Sequence, residues 1–263
     1  MSWWGKTLGG AFGFLVGGPL GALLGAALGH GFDRGLENQA SYGDDAEQIQ
    51  TAFFTALFSV MGHLAKADGR VSEDEIRAAR RVMAHMQLND SQRETAIRLF
   101  RAGRERDFPL DDVLGQLAHV CGRRRTLVQV FVEILVDAAL ADGNLDEEEK
   151  TLLTRVCAGL RLHPQHLEQI LAMAFAAQHA GERAGSQTGA GGLALEDAYA
   201  LLGVNPSAGG DEITRAYRRL MNRHHPDKLV SKGLPEEMLQ LANEKTQKIK
   251  SAYDRIKRAR GKS

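Results

Sequence analysis

Three regimes of apolar patterning follow one another along this 263-residue chain. The first runs from Thr7 to Phe32, 26 residues without Asp, Glu, Lys or Arg. As a helix rising about 1.5 Å per residue it reaches ~39 Å, enough to cross a hydrocarbon core of ~30 Å, so the pattern predicts one transmembrane helix near the N-terminus. The second regime runs from about Ile49 to Phe175, where apolar residues recur every three to four positions. Helices are expected near 46–66, 72–86, 90–104, 110–121, 125–141, 146–160 and 164–178, and no alternating strand pattern interrupts them. The third begins at Leu193, after the glycine-rich stretch HAGERAGSQTGAGG (179–192), which reads as a flexible tether. The resulting division is an anchor over 1–35, a polar juxtamembrane link over 36–50, a helical domain over 51–178, a linker over 179–194 and a small helical domain over 195–263.

Within the anchor, glycine recurs at every fourth position from Gly5 to Gly29. In water such a helix would be weakened by about 1 kcal/mol per glycine relative to alanine. In lipid the backbone has no other hydrogen-bond partner and stays helical. The face carrying Gly9, Gly13, Gly17, Gly21 and Gly25 is then a groove suited to close helix–helix approach, and self-association as a homodimer is expected. Pro19 kinks the span without preventing insertion. Lys6 and Arg34 flank it evenly, so charge leaves its orientation open.

In the last regime, Glu196 to Leu202 forms a short helix closed by Gly203, and a second helix starts at about Asp211. Ile213, Ala216, Tyr217, Leu220 and His224 fall on its inner face. Arg215, Arg218, Arg219 and Arg223 fall on the opposite face as a basic strip. Pro226 ends this helix and leaves His225 and Asp227 on an exposed turn. A third helix from Pro235 to about Ala259 packs antiparallel to the second.

Composition narrows the chemistry. Lys+Arg and Asp+Glu balance at 33 each, so no global charge points to a nucleic-acid or acidic partner. Residues 211–263 do carry fourteen basic against seven acidic side chains, a net +7. No aromatic residues interleave with them as base-stacking platforms, which argues against nucleic acid. Cys121 and Cys157 have no CxxC spacing and read as buried reduced thiols. His63, His85 and His119 define no ligand pair, and His163 and His166 flank a helix start. Nucleophile elbows, phosphate-cradling glycine loops and paired general acids are absent, so no enzyme is expected. His225 and Asp227 sit without a nucleophile or metal beside them, which favours display over catalysis.

The middle domain repeats one device, AKADGRVSEDE (65–75) and ALADGNLDEEE (139–149). Each copy ends a helix at Ala-Asp-Gly and starts another at Ser72 or Asp146, with Glu75 or Glu149 at capping-box spacing. Asp68 with Glu75, and Asp142 with Glu149, also reproduce the second half of a calcium loop. Leu64, Lys66, Ala138 and Leu140 stand where its first half needs oxygen ligands, so the caps explain the motif and no metal is expected.

The repeat resembles the TerB-like helical fold of tellurite resistance, in which the ADG turn is characteristic. DAYALLGVNPSAGGDEITRAYRRLMNRHHPDK resembles a J domain: the Tyr-x-Leu-Leu-Gly opening, Ala-Tyr-Arg-x-Leu on the second helix, then His-Pro-Asp-Lys. With the glycine-rich anchor, the whole chain is similar to the DjlA family of DnaJ-like membrane co-chaperones. Two departures stand out: the loop after Asp227 is longer than in many J domains, and the usual short fourth helix is missing.

The resemblance implies an all-α protein without cofactors that docks on a DnaK-type chaperone and stimulates its ATPase. Arg215, Arg218, Arg219 and Arg223 would steer the encounter, and His225, Pro226 and Asp227, with Lys228 beside them, would make the triggering contact. It further implies a single-pass inner-membrane protein with a periplasmic N-terminus, cytoplasmic domains and a link to envelope-polysaccharide stress signalling. The competing expectation is a metal- or tellurite-responsive membrane protein acting through the ADG turns.

Overall fold

The computed structural model describes residues 18–26, 45–66, 82–84, 86, 88–186, 193–235 and 238–261, and every regular element among them is helical. Six helices form a bundle: α1 (Asp45–Leu64), α2 (Asp90–Gly103), α3 (Leu110–Cys121), α4 (Arg125–Ala139), α5 (Glu147–Gly159) and α6 (Pro164–Ser186). Four more make a smaller C-terminal unit: α7 (Leu195–Leu202), α8 (Gly210–His224), α9 (Pro226–Val230) and α10 (Leu239–Arg260). Of the helix expected over 72–86, only 82–84 and 86 are described, and 82–84 are helical.

The bundle closes around α4, whose sequence RTLVQVFVEILVDAA is apolar on nearly every side and is buried accordingly. Phe131 of α4 meets Phe53 of α1 edge to face, ring centroids 5.4 Å apart. At the crossing of α1 and α2 the backbones touch through two glycines. A Cβ on Gly62 would fall 1.9 Å from the Phe100 carbonyl oxygen, and one on Gly103 would fall 1.8 Å from that of Ser59. Only glycine permits this approach from both sides.

The second ADG turn is built as the capping reading expects. After α4, Leu140–Asp142 form a 3-10 turn and Gly143 takes φ 97°, the left-handed region that suits glycine. Asp146 then caps α5: its Oδ1 accepts from the Glu149 N–H at 2.7 Å, while Glu149 Oε2 accepts from the Asp146 N–H at 3.2 Å. The first copy lies mostly outside the described residues, Asp68 and Glu75 included.

α6 differs from expectation by running on to Ser186, through the first half of the expected tether. Gly181 and Gly185 weaken it by about 1 kcal/mol each, but Ala180, Glu182, Arg183 and Ala184 favour helix and no proline interrupts. Ala176 on α6, with Met173 and Ala177 beside it, also packs into the core of the C-terminal unit, which supports the helix as it leaves the bundle.

In that unit α8 and α10 form the hairpin, with Tyr217 and Tyr253 stacked at 4.2 Å between centroids. The short α7 closes its base through Leu201 and Leu202. Near the N-terminus residues 18–26 are helical, and the Leu20 N–H donates to Gln116 Oε1 at 2.7 Å. Gly21 and Gly25 lie on this segment, whereas Gly9, Gly13 and Gly17 fall outside the described residues. Among the described residues no helix is long and apolar enough to cross a membrane.

Candidate functional site

α8 is strongly amphipathic because its residues sort by helical spacing: Ile213, Ala216 and Leu220 are buried, while Arg215, Arg218 and Arg219 are exposed. The helix stops at His224. His225 is forced to an extended backbone, φ −61° and ψ 122°, as the residue ahead of a proline must be. Pro226 then occupies the first position of α9, where its fixed φ suits a helix start and its missing N–H costs nothing. The expected exposed turn is, in the structure, one extended residue between two helices.

This break displays the tripeptide outward. The side chain of His225 is 47% exposed and that of Asp227 is 90% exposed. His225 Nδ1 and Asp227 Oδ2 stand 4.0 Å apart, too far for a hydrogen bond. Such a solvated pair lacks the burial and the shared reacting atom that acid–base catalysis needs, and it has the form of a contact surface. Lys228 is exposed and donates from Nζ to Asn222 Oδ1, tying α9 back to α8.

Arg223 corrects the sequence reading, which put it on the outward strip. It is half-buried, with Nη1 4.0 Å from Oε1 of Glu133 on α4. The bundle covers this end of the strip, and α8 spacing alone has no information about a neighbouring domain. Two more C-terminal side chains reach the same carboxylate: Lys245 Nζ at 3.3 Å and His224 Nε2 at 3.6 Å. Lys245 also meets Asp137 Oδ2 at 3.5 Å.

The electrostatics follow from this burial. Desolvation works against the Glu133 carboxylate, but Lys245, then His224 and Arg223, outweigh it and hold its pKa below the usual range. Burial pushes His224 down to about 4, helped by Lys245 and Arg223 and opposed by Glu133, so its imidazole is neutral at pH 7. For Lys245 burial is overcome by Asp137 and Glu133, and its pKa is raised. Sequence reading missed this cluster, although one signal was available: Glu133 is the lone charge in the eleven residues from Thr126 to Val136.

Of the metal candidates, Glu149 serves the α5 cap, and Asp142 lies in the 3-10 turn. Among the described residues no three His, Cys, Asp or Glu side chains are grouped to hold a metal ion. Cys121 and Cys157 are buried and free, and burial raises each thiol to about 11.

Comparison with known proteins divides the chain in the same order. Residues 1–39 match the transmembrane domain of co-chaperone DjlA, 54–172 match tellurite resistance protein TerB, and 197–262 match the DnaJ domain. The chain is 43% identical to the co-chaperone protein DjlA of Photobacterium profundum, over 98% of this chain and 99% of that one. It is 42% identical to that of Coxiella burnetii, covering 99% of both. With the protein of Legionella pneumophila the identity is 40%, over 99% of this chain and 96% of the other. No solved structure matches the chain.

Proposed function

Because this chain belongs to the DjlA family of membrane-anchored co-chaperones, we propose that its J domain stimulates the ATPase of a DnaK-type chaperone by surface contact alone. The observation that carries this is the outward display of His225 and Asp227 on a proline-broken tip, with exposed Arg215, Arg218 and Arg219 on the adjoining helix. The arginines steer the encounter toward an acidic face of the partner and add mainly to the rate of association. The tripeptide makes the contact that favours hydrolysis, and all bond breaking takes place in the partner's nucleotide site. The chain is thus a regulator, not a classical enzyme.

The glycine-rich segment is the membrane anchor. Since a DnaK-type partner is cytosolic, the N-terminus faces the periplasm, the chain crosses the inner membrane once, and everything after residue 35 lies in the cytoplasm. A reporter fused after Ser263 that is active only in the periplasm would refute this orientation. The family resemblance adds the proposal of a role in envelope-polysaccharide stress signalling, and a deletion strain with an unaltered envelope-stress response would remove it.

The decisive experiment uses Asp227→Asn, which removes the charge of an exposed side chain and leaves the packing alone. Stimulation of DnaK ATP hydrolysis should fall to the resting rate while the helical circular dichroism is unchanged. Full stimulation by this variant would refute the assignment.

A further inference from the structure

The tip of the J domain is doubly employed. His225 and Asp227 face solvent, yet Leu229, Gly233 and Leu234 just after them are buried, and the bundle buries them. Leu229, Leu234, Met238 and Ala242 lie in the same apolar cluster as the bundle core, apart from the J domain's own cluster of Leu202, Ile213, Leu220 and Ile256. Gly233, at φ 97°, comes so near α1 that a Cβ there would sit 2.9 Å from Ile49 Cγ2. Lys232 Nζ donates to Thr126 Oγ1 at the start of α4, 2.8 Å away.

Charge points the same way. Glu133 is 6% exposed in the middle of an apolar helix, and the groups that face it among the described residues are the cations Arg223 and Lys245 and the neutral imidazole of His224, all from the J domain. A carboxylate buried this deeply is costly unless opposite charges come with it. The bundle therefore carries a socket that is satisfied only when this J domain is seated.

We infer that residues 228–235, longer here than in many J domains, are a docking peg that seats the J domain on the TerB-like bundle of the same chain, with Glu133 as the charged socket for the neighbouring Arg223 and Lys245. The inference concerns an intramolecular surface and does not rest on which ATPase the tripeptide contacts. Seating has two consequences. It fixes the direction in which His225 and Asp227 are presented, and it withdraws Arg223 from the basic strip that a partner meets. A J domain with a shorter loop and no cation at positions 223 and 245 could not take this seat.

Amide hydrogen exchange on the full chain in detergent micelles tests the seat without any partner protein. In the wild type, amides of 228–235 should exchange slowly for a helical-hairpin tip. Glu133→Gln should speed them, and those of 130–137, by at least about tenfold, because Arg223 and Lys245 lose their anion while α3 and α7 keep wild-type protection. Should Glu133→Gln loosen the bundle itself, seen as faster exchange in α3, Leu234→Ser makes the same test from the peg and leaves α4 intact. Unchanged exchange over 228–235 in a variant whose α3 and α7 remain protected would overturn the inference.

Discussion

One substitution, glycine to alanine, should have opposite signs at the crossing of α1 and α2 and on the open face of α3. At Gly103 an alanine methyl would sit 1.8 Å from the Ser59 carbonyl oxygen. An ordinary carbon–oxygen contact is about 3.3 Å, so the helices must part by roughly 1.5 Å. The obstacle is backbone, which cannot swing aside as a side chain can. A gap of even 0.5–1 Å forfeits about a quarter to a half of a contact's dispersion energy, and the interface carries the fully buried Phe58 and Leu99. Overpacking costs about 1–3 kcal/mol in general, and here the upper end applies. The helix-propensity gain of alanine, about 1 kcal/mol in mid-helix, is smaller at the last residue of α2. The net loss is about 2–3 kcal/mol, or a drop of roughly 5–10 °C in Tm for a chain of this size. Gly115 lies exposed within α3, where an added Cβ meets nothing within 4 Å. Gly115→Ala should therefore stabilise by about 0.5–1 kcal/mol. Thermal melts of both variants, followed by circular dichroism on the full chain in detergent, check the pair. A Gly103→Ala melt at or above wild type would refute the close-contact argument.

His224 sets an acid-side stability slope. Its folded pKa of about 4 lies below the ordinary 6.5, so its contribution is complete above pH 6.5 and declines as pH falls toward 4, where the unfolded chain takes a proton that the folded one refuses. The loss is on the order of 3 kcal/mol across that window. Glu133, held low by Lys245 against the effect of burial, adds a loss of the same sign at still lower pH. Urea titrations at pH 7.5 and 5 should show a marked drop for wild type and a smaller one for His224→Leu; equal drops would remove His224 as the source. In the anchor, leucine at Gly13, Gly17 and Gly21 should weaken self-association in a membrane two-hybrid assay, and an undiminished signal would discard the glycine groove.

What could be read from sequence here was what depends on neighbours along the chain. The helical spacing places α3 at 110–121, where the structure has it, because an apolar stripe and its flanking breakers lie within one short window. The cap at Asp146 and Glu149 was legible for the same reason: both members of the box sit three residues apart. Pro226 likewise acts on the residue before it, so the break at His225 could be foreseen, although the start of α9 at the same proline was not.

The misses at Arg223 and Glu133 have a different cause, which is that they depend on residues about a hundred positions away. Arg223 belongs by spacing to the outward strip, yet its environment is set by Glu133 on a helix of another domain. Glu133 in turn is an isolated charge in an apolar stretch, and its partners lie 90 to 112 positions further along the chain. The buried histidine of the His-His pair meets this glutamate, while the exposed one belongs to the displayed tripeptide, so two adjacent and identical residues serve two different surfaces. Nothing in the composition of 179–192 distinguishes a free tether from a link between docked bodies, because glycine content reports backbone freedom and not whether the following domain has a seat. The longer loop after Asp227 was the one local sign that the J domain carries an extra contact, and its leucines, buried with the bundle rather than with the J-domain core, give that length a physical reason.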